Sequence, residues 1–142
     1  VGQDVLVEKQ LQHAGALRIT DNDDQSRIAE SAPSSGFEVE AMPLSTLLKK
    51  YSVARVDVLI IDVEGAELNV LRSINWEECR FGRIFCELHP YNWKHFGFSG
   101  KDMTEFLTQH DFRCFDMYLR EHKDFTVEEY LGPTLFISKN EQ

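Results

Sequence analysis

The chain has 142 residues, enough for one domain with a packed core and too few for two full ones. A composition of 42% hydrophobic, 11% aromatic and 27% charged residues excludes a disordered chain. With 15 basic against 24 acidic residues the formal net charge is −9, and such a surface repels nucleic-acid phosphate and anionic lipid heads, so neither nucleic acid nor a membrane is an expected partner.

From the N-terminus, Val5–Val7 and Ala16–Ile19 are short candidate strands. Thr20 to Gly36, with DNDDQS and SAPSSG, reads as a surface loop, because Asn, Asp, Ser and Gly satisfy their backbone locally. Phe37 to Ala41 alternates apolar and polar residues, the period of a half-buried strand. Pro43 and Ser45 introduce a short helix through Tyr51, with Leu44, Leu47, Leu48 and Tyr51 on one face. Val56 to Asp62 is a β-branched and aliphatic run, the pattern of a strand buried on both faces in the middle of a parallel sheet. Gly65 opens the next helix, where Ala66, Val70, Leu71 and Ile74 recur at helical spacing.

Ile84 to Leu88 is a second buried strand, stopped by His89-Pro90. After an aromatic loop, Ser99 and Asp102 match the S-x-x-D start of a helix whose inner face is Met103, Phe106, Leu107 and His110. Arg113 to Leu119 alternates as a strand, and Thr134 to Ser138 is the last one, after Gly132-Pro133. Strand–helix alternation predicts an α/β fold with parallel strands and helices on the faces. The final two strands lack a helix between them, so the last is expected to run antiparallel.

No apolar run approaches the ~20 residues needed to span a bilayer, and Val1 to Lys9 lacks the signature of a signal peptide, which predicts a cytoplasmic protein. Cys79, Cys86 and Cys114 show no C-x-x-C spacing and read as small buried hydrophobes, without a disulfide framework or a zinc site. No metal ion is assigned, and His13, His110 and His122 have no metal-ligand spacing.

Open α/β sheets bind ligands beyond the carboxyl ends of their strands. Three groups fall there: Asp62, Glu64, Gly65 and Glu67 at a strand–helix junction; Glu87 and His89 at the end of the neighbouring strand; and the aromatic stretch containing Tyr91, Trp93 and His95. Carboxylates this close in a cleft repel one another, and a cationic ligand relieves that. Glu67 reads as a first-turn acid that stabilises the helix dipole, whereas Asp62 and Glu64 lie at the strand end itself. Glu87 interrupts an apolar strand, where a carboxylate is costly without a partner, and His89 is a candidate general base.

The run Val56 to Leu71, with its D-V-E-G-A-E core at Asp62 to Glu67, resembles the central signature of FkbM-type methyltransferases. Val39 to Leu48 resembles the strand and T-L-x-x-L element before that signature, and Phe85 to His89 the strand after it; the likeness extends over residues 37 to 138. The resemblance implies a Rossmann-like class I methyltransferase sheet, S-adenosylmethionine as methyl donor, and a hydroxyl oxygen of a sugar or other small molecule as acceptor. It implies Asp62, Glu64 and Gly65 as cofactor-binding residues and Glu87 or His89 as the base; Tyr91, Trp93 and His95, whose aromatic loop can stack on a ring or cover a ligand, are expected against the acceptor. The family's glycine-rich turn has no counterpart here, since no G-x-G occurs. Residues 1–142 are therefore expected to be a single domain forming the C-terminal portion of a methyltransferase domain, inactive alone, with an exposed sheet edge that favours a homodimer. Two other readings compete: a metal-dependent hydrolase using Asp62, Glu64, Glu87 and His89, and a non-catalytic α/β association domain.

Overall fold

The computed structural model describes residues 15–20, 27–28, 37–126 and 130–139. The proposed strand Val5–Val7 lies outside them. A three-stranded antiparallel sheet places β1 (Gly15–Thr20) between β2 (Arg27–Ile28) and β3 (Phe37–Ala41). The short β2 interrupts what reads as a continuous loop. Its pairing of Ile28 with Ile19 and Arg27 with Thr20 is a backbone event that two residues of sequence carry no period to announce.

Helix α1 (Leu44–Lys50) ends with Lys49 and Lys50, which suit the negative end of its dipole. Its expected apolar face is largely open: no residue of α1 is buried, Leu47 and the following Tyr51 are exposed, and Leu44 packs partly against the core.

The larger sheet has five strands in the order β4-β5-β8-β6-β7. β4 (Arg55–Ile61) pairs in parallel with β5 (Arg80–Leu88), which begins four residues earlier than its aliphatic core. β8 (Gly132–Ser138) runs antiparallel between β5 and β6 (Phe112–Asp116), as the missing crossover helix predicts. Helices α2 (Glu67–Arg72) and α3 (Gly100–Gln109) bury Leu68, Leu71, Met103, Phe106 and Leu107 against Ile61, Ile84, Cys86, Cys114 and Phe136 on one face of this sheet. Each such aliphatic or aromatic side chain contributes roughly 1.5–3 kcal/mol by leaving water. The three cysteines are buried and free.

The opposite face corrects the reading of β4 as a central, doubly buried strand. Val58, Ile60 and Phe85 are 51%, 74% and 38% exposed, and β4 stands at the end of the sheet. Among the described residues no helix covers that side, so aliphatic composition did not translate into burial.

The N-terminus of α3 follows its sequence signal. The Asp102 carboxylate accepts the Ser99 backbone N–H at 2.9 Å and the Ser99 hydroxyl at 2.6 Å. Gly100 is required by close approach, since a Cβ there would lie 1.7 Å from the Phe125 carbonyl oxygen.

β6 stops at Asp116, so the alternation through Leu119 is not a strand: Met117, Tyr118 and Leu119 are exposed in the turn to β7 (Glu121–His122). Asp116 makes that turn. Its carboxylate accepts the backbone N–H groups of Tyr118 and Arg120 at 2.9 Å each, the Arg120 side chain at 2.7 Å and His122 Nε2 at 3.2 Å. Burial would raise its pKa, but these donors outweigh burial and hold it well below the usual carboxylate range. Because the folded pKa is depressed, this stabilisation is complete above the unfolded value near ~3.9 and drains as pH falls towards the folded one. Asp116→Asn should lower the urea midpoint at neutral pH and flatten its decline between about pH 5 and pH 2, as unfolding curves measured across that range would show.

Among the described residues no helix is long and apolar enough to cross a membrane.

Candidate functional site

β4 delivers Ile61 to the carboxyl rim, and the chain then turns sharply through Asp62, Val63, Glu64 and Gly65 into α2. Glu64 and Gly65 both have positive φ, 53° and 116°. Only glycine fits the second position, where a Cβ would lie 2.5 Å from Asn92 Cβ and 2.9 Å from the Phe96 ring. Asn92 secures the turn by donating from Nδ2 to the Glu64 carbonyl at 3.1 Å. Gly65 is thus covered by Asn92 and Phe96, and its contribution to the site is the shape of the turn.

The 3-10 helix Pro90–Phe96 brings the second group in. It replaces the expected aromatic loop and carries Trp93 inward. Glu67, fully buried, is the centre of the arrangement: Oε1 accepts the Gly65 N–H at 2.8 Å and lies 2.9 Å from His89 Nδ1, while Oε2 accepts Trp93 Nε1–H at 2.7 Å. Glu67 stands in the first turn of α2, as read, but buried; the reading of Trp93 is corrected, since at 1% exposed it holds that carboxylate from the core rather than facing a ligand.

A carboxylate on Nδ1 assigns the imidazole proton to that nitrogen, so His89 turns Nε2 to the rim. Nε2 lies 3.7 Å from Glu64 Oε2 and 3.9 Å from Glu87 Oε1. One ligand atom each from Asp62, Glu64 and His89 falls within a 4.8 Å span. Burial would lower the His89 pKa, but the Glu67 hydrogen bond and the charges of Glu67, Glu64 and Glu87 outweigh it, and the pKa is raised.

Two tyrosines flank the imidazole, Tyr91 edge-on at 5.9 Å and Tyr130 at 5.6 Å between ring centroids. The Tyr130 hydroxyl donates to Glu87 Oε1, and that bond, with burial, pushes the phenol up to about 12. Glu64 Oε2 is buried without a hydrogen-bond partner among the described residues. His95 is an exposed residue of the 3-10 helix.

Asp62, Glu64, Glu87 and His89 therefore meet at one rim, with Tyr91 beside them. Sequence reasoning gave Glu67 a dipole role alone and assigned none to Asn92 or Tyr130. A signal existed for Glu67, which stands four and seven residues before Leu71 and Ile74 and so belongs to the buried stripe of α2. None existed for Tyr130, which reaches Glu87 from 43 residues away. A separate hollow of about 290 Å³, lined by Leu48, Val53, Ala54 and Cys79, lies at the amino ends of β4 and β5, away from these groups.

Residues 3–114 match the methyltransferase FkbM domain, starting earlier and stopping earlier than the likeness read from motifs. The human probable methyltransferase-like protein 24 is 31% identical over 108 residues, 68% of this chain but 27% of that protein, so the chain spans under a third of its relative's length. No solved structure matches. The match contains the whole turn from Asp62 to Glu67 and both rim residues of β5, and on it the chain belongs to the FkbM methyltransferase domain family.

Proposed function

We propose that this domain serves methyl transfer from S-adenosylmethionine to a hydroxyl oxygen of a sugar or other small molecule. The observation that carries the reading is the meeting of Asp62, Glu64, Glu87 and His89 where open α/β sheets bind ligands. Asp62 and Glu64 suit the cationic groups of the donor, since carboxylates crowded at one rim are relieved by a positive neighbour. When bound, S-adenosylmethionine supplies the methyl: a bond forms from the acceptor oxygen to the methyl carbon, the sulfur–carbon bond breaks, and its electron pair stays on sulfur.

Glu87 takes the acceptor's hydroxyl proton. Tyr130 engages its Oε1, which fixes the carboxylate and leaves Oε2 for the acceptor. Glu67 positions His89 beside it, and Tyr91, 38% exposed, offers a ring to the acceptor. A second copy of the chain is the proposed macromolecular partner, pairing through the outer edge of β4, which no described strand occupies.

Calorimetry with S-adenosylhomocysteine tests this on the full-length protein. Binding is expected, and Asp62→Ala should weaken it about tenfold or more without moving the unfolding midpoint, because Asp62 is exposed. Glu87→Gln should lower turnover by about 10²–10⁴-fold. Absence of binding heat in the unmodified protein removes the proposal.

A further inference from the structure

We infer that Asp62, Glu64 and Nε2 of His89 form a site for one divalent first-row metal ion, with Glu67 as the outer carboxylate that orients the imidazole. The site stands on geometry; the role given to the ion rests on the methyl-transfer reading, in which Asp62 and Glu64 each give one oxygen to the ion and keep the other for the donor.

Ligand oxygens and nitrogens sit about 2.0–2.2 Å from such an ion, so two on opposite sides are about 4.2 Å apart. Neighbouring ligands are closer, about 3.0–3.5 Å; the three atoms here lie within 4.8 Å of one another, and a movement of about an ångström by the exposed Asp62 side chain closes them on an ion. The His89 side chain is 4% exposed, and its Nε2 makes no hydrogen bond among the described residues, the nearest carboxylate oxygens being 3.7 and 3.9 Å away. Glu64 Oε2 is buried and makes no hydrogen bond among the described residues. A buried carboxylate oxygen with no hydrogen bond, 3.7 Å from an imidazole nitrogen, leaves room for a cation bound by both. Glu67 on Nδ1 completes a carboxylate–histidine–metal arrangement, in which the outer acid fixes the tautomer and raises the ligand's basicity.

Two carboxylates with one imidazole suit a transition cation better than an all-oxygen site does, and no thiolate is present to select a softer one. Three protein ligands leave positions open for oxygens of the acceptor. That answers a chemical difficulty. Carboxylates as a class are about ten pKa units too weak to deprotonate an alcohol, and a divalent cation lowers the pKa of bound water from 15.7 to about 7. A hydroxyl on the ion would release its proton to Glu87, 3.9 Å from His89 Nε2.

The test is Mn²⁺ titration of the chain followed by electron paramagnetic resonance. One bound Mn²⁺ per chain is expected, with affinity about tenfold or more lower in Asp62→Asn and unchanged in Glu105→Gln, an exposed acid of α3. Electron spin echo modulation should show one imidazole nitrogen coupling that His89→Gln abolishes; should that buried variant not fold, the exposed Asp62→Asn carries the test. No Mn²⁺ bound, equal affinity in Asp62→Asn, or no nitrogen coupling would overturn the site. S-adenosylhomocysteine binding without an Mn²⁺ site would overturn this inference and leave methyl transfer standing. Mn²⁺ held as described in a full-length protein that ignores S-adenosylhomocysteine would support the site and overturn the methyl-transfer reading.

Discussion

Glu67→Leu should cost the domain about 3–5 kcal/mol of stability, the penalty for breaking a buried charged hydrogen-bond cluster from one side. With a denaturant slope near 2 kcal/mol/M, the urea midpoint followed by circular dichroism should fall by about 2 M. Leucine keeps most of the volume, so the loss isolates the polar contribution: the Gly65 N–H, the His89 Nδ1–H and the Trp93 Nε1–H all lose their acceptor in the core. Glu67→Gln should lose roughly half as much, because the amide retains one acceptor oxygen and turns a donor towards a donor. A midpoint unchanged by Glu67→Leu would mean that this carboxylate does not organise the rim.

Gly65→Ala should be nearly as damaging, at about 3 kcal/mol, or about 10 °C in Tm by calorimetric scanning. Two costs add there. A φ of 116° is closed to an L side chain, and the new methyl would lie 2.5 Å from Asn92 Cβ, on the residue that pins the Glu64 carbonyl. Relief of that clash displaces Glu64, so the same variant should also weaken whatever cation the rim binds. A fully stable Gly65→Ala protein would show that the turn tolerates rearrangement, which its burial argues against.

Glu67 and Gly65 matter together because they join the two strands that form the site. The turn after β4 supplies Asp62 and Glu64; β5 supplies Glu87 and His89. Glu67 touches both the turn and His89, while Asn92 and Trp93 tie the 3-10 helix to the same point. The rim is therefore one cooperative polar cluster, in which deletions are not additive.

Local patterns were legible wherever neighbours within about seven residues decide the outcome. The aliphatic run before Asp62 announced β4, the pairing of Ser99 with Asp102 announced the start of α3, and the absence of a helix before Thr134 announced an antiparallel last strand. The D-V-E-G-A-E turn also marked the rim, since a strand that ends in acids and runs into a helix has one place to put them. Composition could not reveal which face of β4 is covered, because exposure of Val58 and Ile60 depends on what packs across the sheet. Nor could it reveal that Asp116 spends its carboxylate on a turn, or that Glu67 is buried beneath His89 from 22 residues away. Hydrophobic periodicity reports how a segment folds against its own axis; the partners of buried charges follow from strand register and from where a turn aims the chain, which are properties of segments far apart in sequence.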